Sequence, residues 1–84
     1  MTQADVRDIL QDHARLPTDP QALDAHADLY EAGMTSHASV NVMLALEDHF
    51  DVEFPDEMLK PSVFASIAAI SAAVEQLQAQ PAPA

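Results

Sequence analysis

The chain contains no cysteine, so disulfide bridges and thiolate metal sites are both excluded. It is also poor in base. Arg7, Arg15 and Lys60 are its only Lys and Arg residues, against 14 Asp and Glu, and the formal net charge is −11. From residue 16 to residue 59 there is no Lys or Arg, while ten acids fall there. Such a field repels nucleic acid and anionic membranes and steers basic protein surfaces towards it. No apolar run is long enough to span a bilayer. Residues 1–8 lack the basic start and apolar core of a signal peptide. The expectation is a soluble cytoplasmic monomer that binds neither nucleic acid nor membrane. Glycine occurs once, at Gly33, where a helical pattern is about to begin. A lone glycine there marks a backbone position with positive φ, or one that lacks room for a side chain.

At 84 residues the chain is one small domain with a single core. Its acidity does not make it disordered, because 49% of its residues are apolar and they recur periodically. Val6, Ile9, Leu10 and His13 share one side of a first helix running to about Leu16. Thr2 is its expected cap, and Pro17 ends it by breaking the hydrogen-bond ladder. Residues 17–35 form a long connection, of a kind that is usually functional or pinned by its own side chains. Leu23, Leu29 and Tyr30 are the expected pins.

A second helix is predicted over residues 36–50, with Ser39, Val42, Met43, Leu46 and Phe50 as its core stripe. Val40 and Leu44 lie on an adjoining face with His37, Glu47, Asp48 and Asp51. That pair reads either as a wider core contact or as a partner-binding face. Phe54 is an expected core anchor, and Pro55 suits the start of a short third helix over residues 56–60. Residues 62–65 read as a turn. Ser66 then caps a last helix to about Gln78, carried by Ile67, Ile70, Val74 and Leu77 with Phe64 just before it. Residues 79–84 read as a flexible Pro/Ala tail beyond a domain of residues 1–78. The expected fold is all-α, a small four-helix bundle with three main helices, a short third one and a long loop after the first.

Few constellations for chemistry are present. His13, His26, His37 and His49 form no HxxxH or HExxH pattern. His37 and His49 would stand roughly 18 Å apart along one helix. Adjacent helical residues point about 100° apart, so His37 is badly placed to take a proton from Ser36. Glu47-Asp48 and Asp56-Glu57 read as solvated faces, since tuned carboxylates need burial or close coupling. The acids from Asp51 onward lack the glycine and ligand order of an EF-hand. Neither a metal site nor a catalytic residue is expected.

Ser36 remains. By position alone it reads as a helix cap. Its surroundings say more. Asp28-Leu29-Tyr30-Glu31-Ala32-Gly33-Met34-Thr35-Ser36 leads into Val40, Leu44-Ala45-Leu46-Glu47-Asp48, Phe50-Asp51-Val52 and Phe54-Pro55. Pro61-Ser62-Val63-Phe64-Ala65-Ser66-Ile67 follows. Over about residues 4–78 this resembles the acyl and peptidyl carrier proteins. Where that family usually has Asp-Ser-Leu, this chain has Thr35-Ser36-His37. An acid is lost, and an apolar partner contact is replaced by a titratable one.

The resemblance implies a carrier and not an enzyme. A phosphopantetheinyl transferase would attach 4'-phosphopantetheine to the Ser36 hydroxyl, placing a phosphodiester at a helix start that favours anions. The arm ends in a thiol that holds cargo as a thioester, so the chain itself needs no cysteine. His37, Val40 and Leu44 would contact partners. Glu47, Asp48, Asp51, Asp56 and Glu57 would steer the basic surface of a cargo-loading ligase, and later of an acceptor enzyme. The bulk of Met43, Leu46 and Phe50 and the polarity of Ser39 leave little room for an acyl chain between the helices. That favours an amino acid, loaded by a stand-alone amino acid:carrier protein ligase resembling a class II aminoacyl-tRNA synthetase. Carriage of a short fatty acyl or polyketide group is the alternative. An unmodified acidic helical adaptor is a further one.

Overall fold

The computed structural model describes residues 2–14 and 16–79. Three α-helices carry the core: α1 (Thr2–His13), α2 (Ser36–Phe50) and α3 (Ile67–Ala79). Three 3₁₀ turns lie between them, Pro20–Ala22, Asp56–Met58 and Pro61–Phe64. No strand occurs among the described residues. Helix α1 packs against both α2 and α3. Ala79 is the last residue of α3, and the rest of the expected tail lies outside the described residues.

Helix α1 starts one residue earlier than expected, with Thr2 inside it, and stops at His13. The early stop has a local cause. Pro17 disfavours helical φ/ψ at Leu16, and its ring would collide with the carbonyl four residues back. Val6, Ile9, Leu10 and Ala14 are buried, whereas His13 is exposed. The apolar stripe continues from Leu10 to Ala14, and the imidazole is left at the rim towards α2.

The connection after α1 is pinned as its leucines suggested. Leu29 is completely buried, with Leu23 and Tyr30 packed on the core. Backbone bonds fix it further. Leu29 N–H donates to the Ala65 carbonyl at 2.7 Å, and Ala68 N–H donates to the Ala25 carbonyl at 2.8 Å. The second of these supplies a partner for an otherwise orphaned donor in the first turn of α3. Arg7, half-buried on α1, donates from Nη1 to the carbonyls of Pro20 at 2.7 Å and Leu23 at 2.6 Å. One of the few bases of an acidic chain is thus spent on loop architecture. Gly33 has φ +118, and a Cβ there would stand 2.8 Å from Pro17 Cδ. Positive φ and lack of room both apply at this residue.

Helix α2 buries Ala38, Val42 and Leu46, with Met43, Ala45 and Phe50 partly buried beside them. Ser39, expected in the core stripe, is only half-buried. The stripe runs one residue earlier, through Ala38. The helix closes on Asp51 in the left-handed region (φ 54), with its N–H donating to the Glu47 carbonyl. Phe54 is buried as expected, its ring 5.4 Å from that of Phe64.

The short third helix is a single 3₁₀ turn, Asp56–Met58. Pro61 holds Lys60 extended at φ −130, ψ 152, which prevents the turn from growing. The second turn, Pro61–Phe64, leads to Ser66, whose Oγ accepts from Ala69 N–H at 3.0 Å and caps α3 as predicted. Among the described residues eight large side chains are wholly buried in the assembled core, including Leu10, Leu29, Leu46, Ile67 and Ile70. Each contributes roughly 1.5–3 kcal/mol.

Candidate functional site

Two adjacent hydroxyls meet at the start of α2, and they do different things. Thr35 is the cap: its Oγ1 accepts from Ala38 N–H at 3.0 Å. Ser36 is therefore the first helical residue, exposed, with a hydroxyl that makes no hydrogen bond among the described residues. The backbone N–H groups of Ser36 and His37 also have no partner there. A free hydroxyl is thus presented at the positive end of a 15-residue helix. The aspartate usual in carriers at this position is replaced by Thr35, another residue able to cap.

Ser36 opens onto a groove of about 270 Å³. One wall is Ser39, Val40 and Met43 of α2, with Tyr30 from the connection. The other is Leu59, Lys60, Pro61 and Phe64. Ser39 Oγ donates back to the Ser36 carbonyl at 2.7 Å. Val40, Leu44 and Leu59 are the large apolar residues exposed among the described ones, at 50%, 53% and 45%. A lone exposed leucine is ordinary. Val40 and Leu59 border the Ser36 groove, whereas Leu44 lies outside it.

The expected partner residues are distributed unevenly. Val40 lines the Ser36 groove. His37 lines a second recess with His13, Gly33, Thr35 and Asn41, and Leu44 and Asp48 line a third with Asp12 and His13. Asp51, Asp56 and Glu57 are exposed beyond the end of α2 and border none of these. Glu47 is not free: its Oε2 accepts from Phe54 N–H at 2.9 Å and ties the following loop to the helix. Tyr30, Met43, Leu59 and Lys60 were missed as site residues. No local signal marks them, because the groove exists only once Pro61 has brought its turn back over α2. No group of three His, Asp or Glu able to hold a metal occurs among the described residues. No helix there is long and apolar enough to cross a membrane.

The geometry is that of an exposed serine at the start of a helix on a small helical scaffold. Residues 4–74 match the family described as "Phosphopantetheine attachment site", and the chain belongs to it. Its class is therefore that of phosphopantetheine-bearing carriers and not of catalysts. Among its relatives is the aminoacyl carrier protein of Agrobacterium fabrum, 47% identical over 72 residues, spanning 86% of this chain and 87% of that one. The fold matches a chain in the crystal structure of an engineered Bradyrhizobium japonicum glycine:[carrier protein] ligase complexed with a carrier protein from Agrobacterium tumefaciens and ATP. The TM-score there is 0.87 at 45% identity, covering 90% of this chain and 99% of the other. It also matches the solution structure of a holo acyl carrier protein from Nitrosomonas europaea, with TM-score 0.81 at 30% identity, covering 94% and 96%.

Proposed function

We propose that Ser36 bears the phosphopantetheine arm on its hydroxyl, and that the cargo is an amino acid loaded by an amino acid:carrier protein ligase. The observation that carries this is the division of labour at the start of α2. Thr35 caps the helix, so Ser36 is free to be modified. The bound arm supplies a terminal thiol that holds cargo as a thioester.

The chain's own residues fit such an arm. Unpaired N–H groups at Ser36 and His37 and the positive end of α2 favour a phosphodiester. Lys60, on the opposite wall of the groove, adds a positive charge in a part of the chain otherwise dominated by acid. Val40, Met43, Leu59 and Phe64 offer an apolar bed along which an arm can lie.

An amino acid cargo is supported by the aminoacyl carrier relative and by the carrier complexed with a glycine ligase. The core supports it too. Val42, Leu46, Ile67 and Ile70 are completely buried and Phe64 nearly so, leaving cargo to be carried outside the bundle. The partners follow: a phosphopantetheinyl transferase, the loading ligase and an acceptor enzyme, all in the cytoplasm.

The test is intact mass. The chain, incubated with coenzyme A and a broad-specificity transferase, gains one phosphopantetheine, and Ser36→Ala gains none. The holo form is then offered ATP, a glycine:[carrier protein] ligase and single amino acids. A further gain of one aminoacyl group supports the cargo. Gain of an acyl group from fatty acyl donors alone would overturn it, and failure of the first step would leave the adaptor reading.

A further inference from the structure

The recesses on either side of His13 and Asn41 share both residues, and each is about 420 Å³. Both lie along the seam of α1 and α2, one bordered by His37 beside the Ser36 turn and the other by Leu44 and Asp48. Resting on the amino-acid carrier reading above, we propose that this seam is where the loading ligase docks, through an amphipathic segment that sets an apolar side chain on Leu44 and basic side chains against Asp12 and Asp48.

Helix geometry separates this surface from the arm groove. His37, Asn41, Leu44 and Asp48 recur at i, i+4, i+7 and i+11, one continuous stripe about 16 Å long. Ser36, Val40 and Met43 form the neighbouring stripe and face the groove. A partner on the seam therefore leaves the arm's own bed open.

The composition of the seam suits an interface. Leu44, 53% exposed, stands among polar residues, as an anchor does within a polar rim. Asn41 is a poor helix former placed mid-helix, exposed, with no side-chain hydrogen bond among the described residues. Stability does not account for it. The ion pair found among the described residues is His49 with Asp5, at 3.9 Å, and Asp12 and Asp48 pair with none of the other described residues. Charge selects the occupant. A net charge of −11 disfavours a second copy or an anionic membrane and favours a basic protein. The contribution of α1, through Asp12 and His13, distinguishes this from docking on α2 alone.

The experiment compares Asp12→Lys, Leu44→Ala and Glu75→Lys with the parent. Glu75 is exposed on α3, away from the seam, and its reversal changes net charge as much as that of Asp12. Each chain is converted to the holo form with excess transferase and checked by mass and thermal melt. Glycine loading is then followed with the Bradyrhizobium japonicum glycine:[carrier protein] ligase. The expected result is a fall in kcat/KM of about 10-fold or more for Asp12→Lys and Leu44→Ala, and less than about 2-fold for Glu75→Lys. Amide shifts of the isotope-labelled parent should move at residues 12, 13, 41 and 44 when ligase is added, which needs no variant to fold. Equal loading by all four chains, or shifts confined to α2, would overturn the seam and leave the carrier reading intact. A holo parent that no amino acid loads would remove the carrier reading and the seam with it.

Discussion

Gly33→Ala tests how the connection delivers Ser36. Two penalties are expected. The backbone at φ +118 lies outside what an L side chain adopts readily, and a left-handed conformation costs about 1–2 kcal/mol. The added Cβ would also stand 2.8 Å from Pro17 Cδ and 3.2 Å from Cγ. That neighbour is a closed ring and has no flexible end to swing aside, so overpacking of about 1–3 kcal/mol follows. The sum is about 2–5 kcal/mol, against a total stability of roughly 4–13 kcal/mol for a domain of this size. At several degrees per kcal/mol, the melting temperature should fall by about 10 °C or more.

The assay is thermal and urea unfolding of the apo chain, followed by a double-mutant cycle with Pro17→Ala. Removing the ring should recover the steric share, about 1–3 kcal/mol, and leave the φ penalty in place. Gly33→Ala melting within about 2 °C of the parent would refute the reasoning. A cycle with no coupling would show that Pro17 and Gly33 do not constrain each other.

Other expectations follow from single contacts. Thr35→Ala should cost about 1 kcal/mol in urea unfolding through loss of the cap, whereas Ser36→Ala should stay within about 0.5 kcal/mol of the parent; the reverse order would mean that the wrong hydroxyl is taken as the cap. Arg7→Ala should destabilise by about 2 kcal/mol and speed amide exchange at residues 20–30, because the carbonyls of Pro20 and Leu23 lose a charged donor. Arg7→Lys should recover little, since an ammonium does not reproduce the reach of a guanidinium. Ser71 is 4% exposed and its Oγ has no partner among the described residues, so Ser71→Ala should raise stability by about 1 kcal/mol, read as a higher melting temperature.

The helices were legible because burial imposes a period on them. Val6, Ile9 and Leu10, and later Ile67, Ile70 and Val74, repeat at the spacing that one buried face requires. Gly33 was legible because a single glycine at a helix approach has few explanations. Other features had no local signature. Thr35 and Ser36 are both able to cap, and only the bond to Ala38 decides between them. The carbonyls that Arg7 holds belong to a loop 13 and 16 residues away. Glu47 reads as one more surface acid until the N–H of Phe54, seven residues on, is brought to it. In each case the partner is chosen by tertiary geometry and leaves no trace in sequence spacing.

Helix α2 is engaged on three flanks. One flank is packed into the core through Ala38, Val42 and Leu46, a second borders the groove at Ser36, and a third forms the seam with α1. Immobilising the domain, or attaching a reporter, through a residue on one of these flanks is therefore expected to disturb folding, the groove or the proposed docking seam. The outer side of α3, where Ala72, Glu75 and Gln76 face solvent, is the place for a label. A single cysteine introduced there would report on the domain at work, provided that it is labelled before the arm brings in a thiol of its own.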